Sequence, residues 1–156
     1  EQAWVDGEVY RLLQEMRAAG KPIGAMCIAP AILAKVFSSE KPKITIGTDK
    51  TTAEALKRCG AQPVRAEATE IVVDEKLNLI TTPAYMLAER ISEAADGIGR
   101  LVEAVVRRAR VRVQQSADSA AATLRFRKGR PADSADAADS ADSAARRSSP
   151  GQQASP

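Results

Sequence analysis

Residues 24–30 read Gly-Ala-Met-Cys-Ile-Ala-Pro and follow an apolar start at Ile23, so Cys27 stands where a short strand would turn sharply into a helix. A thiol at such an elbow projects from the end of the sheet, and the free N–H groups and positive end of the next helix favour its thiolate. This is the placement of a reactive cysteine. Cysteine is also a small, frequently buried hydrophobe, and one segment leaves both readings open. The second cysteine, Cys59, falls in the last turn of a predicted helix, where packing beneath that helix is the simpler role.

The chain contains no histidine. A Ser-His or Cys-His dyad, imidazole acid-base chemistry and the histidine-containing zinc sites are therefore unavailable to it. Two cysteines are too few for a disulfide framework and suit a reducing, cytoplasmic compartment.

Several elements must position Cys27. Val5, Val9, Leu12, Leu13 and Met16 recur at helical spacing, which predicts a helix from Asp6 to Ala19, with Gly20 as its left-handed cap and Pro22 beyond it. Lys21 to Met26 lacks alternation and reads as a short strand buried on both faces, and Pro30 to Phe37 resumes as helix. Lys43 to Gly47 reads as a second strand. Thr51 and Glu54 form a capping-box pattern that opens a helix closed by Gly60.

Glu70 to Asp74 and Leu79 to Thr82 predict a hairpin around the turn Glu75-Lys76-Leu77-Asn78. Thr82 and Pro83 match an N-cap and a first helical proline, and Leu87, Ile91, Ala94, Ile98, Leu101, Val102 and Val105 give the following long helix its apolar stripe. Gly97 and Gly99 weaken that helix by about 1 kcal/mol each relative to alanine, a cost that close packing would justify.

Composition divides the chain. Residues 1–113 carry the periodic apolar pattern, whereas 114–156 are mostly Ala, Ser, Asp, Arg, Gln and Pro, including ADSADAADSADSAA over Ala132 to Ala145. That tail is expected to be disordered. The net charge of +3 is also uneven: residues 1–106 hold 13 Lys and Arg against 15 Asp and Glu, a net of −2. The basic excess lies in Arg107, Arg108, Arg110 and Arg112 and near Arg125 to Arg130, where a solvated helix end explains it without nucleic acid. No apolar run approaches the roughly 20 residues that span a bilayer, so no membrane segment is expected.

Three motifs now read together: GKPIGAMCIAPAILAKVF (Gly20 to Phe37), ITIGTD (Ile44 to Asp49) and IVVDEKLNLITTPAYMLAE (Ile71 to Glu89). Together they closely resemble the ElbB-type glyoxalase family, within the class I glutamine amidotransferase-like superfamily that also holds the PfpI-type proteins. The match runs from about Glu8 to Val106. The resemblance implies an α/β flavodoxin-like three-layer sandwich with Cys27 at a nucleophile elbow, incomplete at its N-terminus, because family members carry further strands, an acidic partner for the thiol and a glycine-rich loop before this region.

The function that the resemblance implies is conversion of small dicarbonyls such as methylglyoxal and glyoxal to hydroxy acids, through thiolate attack by Cys27 and with no cofactor. The backbone N–H of Ile28 then becomes the oxyanion donor, and Thr48, Asp49 and Tyr85, which belong to the matching motifs, become neighbours of the site. Many members of the superfamily have histidine where Ile28 stands and another near Gly47 to Asp49, so amidotransferase or peptidase chemistry of the Cys-His type is not expected, whereas Ile-Ala-Pro after the cysteine is the ElbB branch's own pattern. The tail has no counterpart in the family. Activity is expected to be absent from this piece alone. A small aldehyde substrate and a homodimer at full length are the implied partners, with a mitochondrial location also compatible. The alternative is a redox-sensing or interaction module in which Cys27 is oxidised to a sulfinic acid without turnover.

Overall fold

The computed structural model describes residues 4–128. Helix α1 spans Gly7–Ala18 and is capped by Asp6, whose carboxylate accepts from the N–H groups of Glu8 and Val9. Gly20 follows in left-handed backbone (φ 63°), as its position after the helix requires. Strand β1 (Ile23–Met26), helix α2 (Pro30–Val36), strand β2 (Lys43–Ile44) and helix α3 (Lys50–Arg58) come next. Strands β3 (Gln62–Pro63), β4 (Val72–Asp74) and β5 (Leu79–Thr82) precede the last helix, α4 (Ile91–Lys128).

The main sheet has the order β1-β5-β4, with β1 parallel and β4 antiparallel to β5. A second, two-stranded sheet pairs β2 with β3 in parallel. Two side chains stitch the sheets together: Asp74 accepts from the Lys43 N–H at 2.8 Å, and the Thr81 hydroxyl accepts from the Thr45 N–H at 3.0 Å.

The register sorts side chains into two layers. Ile23, Ala25 and Leu79 enter one cluster with Leu33, Phe37, Ile44 and Leu56, and Leu13 and Met16 of α1 pack onto it. Ile80 faces the other way and packs with Leu101 and Ala104 of α4. Helices thus cover both faces of the sheet, which is the three-layer α/β arrangement expected. The chain divides into two compact units, the first ending at Ser116 and the second starting at Ala117.

Several local expectations are corrected. β1 alternates in exposure, with Ile23 and Ala25 buried and Gly24 exposed, yet its second face is covered as expected: a Cβ on Gly24 would fall 2.9 Å from Val105 Cγ2 and 3.0 Å from Leu101 Cδ2 of α4. The strand expected over Lys43–Gly47 pairs only at Lys43–Ile44. Asp49, not Thr51, caps α3. Thr82 does not cap a helix: it ends β5, its hydroxyl donates to Glu70 O at 2.8 Å, and the chain passes through a short 3-10 turn (Ala84–Met86) before α4 begins. Ile91 and Val102 of the expected stripe are exposed. The helix continues through Lys128, so residues 114–128 are helical where disorder was expected, because Ala, Gln and Arg sustain a helix that no glycine or proline interrupts. The rest of that tail lies outside the described residues.

Of the two glycines in α4, only Gly97 is packed closely. A Cβ there would fall 2.2 Å from Ala68 O and 3.0 Å from Thr82 Oγ1, whereas a Cβ on Gly99 would meet nothing within 4 Å.

Candidate functional site

β1 ends at Met26, and the next residue adopts φ 60°, a left-handed conformation that costs a non-glycine residue about 1–2 kcal/mol. That residue is Cys27. Its N–H donates to Thr82 O at 3.1 Å, which ties the elbow to the end of β5. Ala29 N–H then returns to Met26 O at 3.1 Å and Ala31 N–H to Ile28 O at 3.0 Å, so two tight turns carry the chain into α2, with Pro30 as its first residue. Strain of this kind concentrates at functional sites, where it aims a side chain that relaxed backbone would not.

Cys27 is half-buried as a residue. Ile28 is exposed, and its N–H makes no backbone hydrogen bond among the described residues. A free donor therefore stands one residue from the sulfur, as a developing oxyanion needs. Cys59 is the C-cap residue of α3 and packs half-buried against the core, in keeping with the packing role expected of it.

The remaining predicted residues also follow strand ends. β1 and β5 are parallel with Met26 opposite Thr82, so both deliver their carboxyl ends to one edge. Lys43 bonds beside the start of β5 and Thr45 beside Thr81, so the chain leaving β2 runs toward that same edge. Ligand crevices of open α/β sheets lie outside this edge. Gly47 (φ 119°) presses so closely on Leu87 that a Cβ would lie 2.8 Å from its Cγ, which sets the Gly47–Asp49 loop on the turn that carries Tyr85.

Thr48 and Asp49 line a cavity of about 370 Å³ with Ala53, Lys57, Val64 and Arg65, and neither Cys27 nor Tyr85 is among its lining residues. Tyr85 is 66% exposed. The carboxylate of Asp49 accepts from the hydroxyl and the N–H of Thr52 at 2.5 and 2.6 Å, so it is engaged as a helix cap. Those two bonds, the hydroxyl first, hold the Asp49 carboxyl below its ordinary value. A depressed folded-state value stabilises the fold at neutral pH, and that contribution is lost as pH falls through the ordinary aspartate range toward the lowered value. Asp49→Ala is accordingly expected to lower the melting temperature at pH 7, with a gap to the parent that narrows below about pH 4 in melts followed by circular dichroism.

One feature of the site had no signal in the sequence. Ala84, fully buried, adopts φ 46° directly after Pro83, a second strained residue just past the end of a parallel strand. Another could have been read: Thr81 and Thr82 are two buried hydroxyls in an apolar strand and had to find partners, which are the Thr45 N–H and Glu70 O.

A strained cysteine between a parallel strand and a helix, within a helix-covered sheet, defines a flavodoxin-like α/β fold of the amidotransferase-like type. A crystal structure of an isoprenoid biosynthesis protein with an amidotransferase-like domain from Ehrlichia chaffeensis shares this fold at a TM-score of 0.61 and 26% identity, over 69% of this chain and 49% of that one. No family model matches the chain.

Its homologues are glutamine amidotransferase-like class 1 domain proteins. It is 40% identical over 111 residues to the human mitochondrial glutamine amidotransferase-like class 1 domain-containing protein 3, covering 65% of this chain and 41% of that protein. The mitochondrial ES1 protein homolog of Rattus norvegicus is 39% identical over 111 residues, covering 65% of this chain and 41% of its own length. The mitochondrial ES1 protein of Danio rerio is 30% identical over 117 residues, covering 66% of this chain and 43% of its own length. The chain thus spans about two-fifths of the length of these relatives.

Proposed function

We propose that Cys27 is the nucleophile of a cofactor-independent glyoxalase of the ElbB type, which converts methylglyoxal or glyoxal to the corresponding hydroxy acid. The observation that carries this reading is the left-handed backbone at the half-buried Cys27, which stands beside an uncommitted N–H.

In the proposed reaction the Cys27 thiolate adds to the aldehyde carbon and forms a carbon–sulfur bond, and the electron pair of the carbonyl moves onto its oxygen, to which Ile28 N–H donates. The hydrogen on that carbon passes as a proton to the adjacent carbonyl carbon through an enediol. The first carbon is thereby oxidised to a thioester and the second reduced to an alcohol. Water then cleaves the thioester, giving the hydroxy acid and the free thiol, so no external oxidant or reductant is consumed.

The mitochondrial names of the vertebrate relatives support a mitochondrial setting for this reaction. Among the described residues no helix is long and apolar enough to cross a membrane. We attach a homodimer to this reading as its working assembly. The test is incubation of the native protein with methylglyoxal, without glutathione or added metal, followed by proton NMR. Lactate should accumulate; methylglyoxal that remains unchanged overturns the reading.

A further inference from the structure

The end of the sheet opposite Cys27 carries a concentration of positive charge. Gly20 to Pro22 lead into β1, the turn Glu75 to Asn78 leads into β5, and α4 passes beside both. Between them lies a cavity of about 470 Å³ lined by Arg17, Lys76, Arg107, Arg108 and Arg112, with Glu75 the one carboxylate in its lining. Residues 1–106 carry a net charge of −2, so this is no general basicity of the surface.

The cations are held in different ways. Arg108 donates to Asn78 Oδ1 at 3.1 Å and to the Glu75 carboxylate, which anchors it to the hairpin turn. Arg112 donates to Ala19 O at 2.7 Å and lies across Gly20, where a Cβ would fall 2.7 Å from its Cζ. Only a glycine lets that guanidinium approach so closely. Arg17 pairs with Glu40 at 2.9 Å, yet its buried Nε has no hydrogen-bond partner. Lys76 and Arg107 are exposed and form no ion pair among the described residues.

With Arg17 paired to Glu40 and Arg108 to Glu75, the cavity keeps Lys76, Arg107 and Arg112 without a carboxylate partner among the described residues, and an anion placed among them offsets their mutual repulsion. Guanidinium groups match the oxygen geometry of phosphate, and the cavity lies in the size range of small-ligand sites. We infer that this is a binding site for the polyphosphate group of a small phosphorylated ligand, of the nucleoside triphosphate kind. It lies at the start of β1, whereas Cys27 follows its end, roughly 13 Å further along four strand residues. It is therefore a second site, independent of the thiol and of the reaction proposed for it.

The experiment is calorimetric titration of the chain with inorganic tripolyphosphate and with ATP at low ionic strength, beside inorganic sulfate and a short single-stranded oligonucleotide. Tripolyphosphate and ATP should bind with similar affinity, well above that of sulfate, and binding should weaken as salt is added. Lys76→Ala and Arg107→Ala, both exposed and unpaired and so expected to keep the parent circular dichroism spectrum, should each weaken binding about tenfold. Lys35→Ala, an exposed lysine on α2, should leave it unchanged. Absence of binding overturns the inference, as does binding insensitive to Lys76 and Arg107. An oligonucleotide that binds more tightly than tripolyphosphate also overturns it, since the charge would then serve a nucleic-acid backbone.

Discussion

Replacing Cys27 by alanine is expected to reduce methylglyoxal conversion in the native protein to the uncatalysed background, a fall of about 10³-fold or more, because the covalent route has no other entry. Cys27→Ser keeps the shape of the side chain and loses the ionisable sulfur, so it should be nearly as inactive. Cys59→Ala should retain turnover, since Cys59 packs against the core at the end of α3. The informative contrast is with Cys27→Gly, which abolishes activity too but relieves the left-handed backbone at φ 60° and should raise stability by about 1 kcal/mol in denaturant titrations. A variant that is more stable and inactive separates the strained elbow from its chemistry. Undiminished turnover in Cys27→Ala would remove the nucleophile from the proposal.

The second large effect is on stability, and its sign runs against helix propensity. Alanine in place of glycine inside a helix ordinarily gains about 1 kcal/mol, and Gly99→Ala, with open space where its methyl group would go, should gain that amount. Gly97→Ala should instead lose about 2 kcal/mol or more, because its methyl group would sit 2.2 Å from the backbone oxygen of Ala68, which cannot swing aside as the end of a side chain could. Thermal melts of the two variants side by side decide the matter. Equal stabilisation in both would mean that α4 does not press on the segment before β4.

Much of this architecture was legible in the residues. The helical spacing of Val5 to Met16, the elbow at Cys27 and the hairpin turn at Glu75 to Asn78 follow from periodicity and turn chemistry, and each appears within a residue or two of its expected place. The errors fell where tertiary contacts override local preference. Thr82-Pro83 is a sound helix opening in isolation, but the Thr82 hydroxyl is committed to Glu70 O and Ala84 turns left-handed, so the helix is postponed to Ile91. Thr51 is a different case, decided locally: it matched a capping box, but Asp49, two residues earlier, takes the Thr52 N–H, a bond only three residues long in sequence. At the candidate site, Cys27 was readable from its neighbours in the chain. The exposure of Tyr85 was not, because it depends on where separate strand ends come to rest, whereas the Asp49 cap is a bond to Thr52 three residues on, which an aspartate at a helix start signals by itself.

The join between the two sheets has a mechanical consequence. A ladder of backbone bonds resists shear along its whole length, but β2 is held to the main sheet by the Asp74 carboxylate and the Thr81 hydroxyl, two spot welds in place of a seam. What seats the block formed by β2, α3 and β3 is therefore packing, since Ile44, Ile46, Leu56 and Ala61 are buried in the same cluster as Ile23, Leu33 and Leu79. Loosening that shared packing, and not cutting either polar link alone, is what would free the Gly47–Asp49 loop from its seat on Leu87.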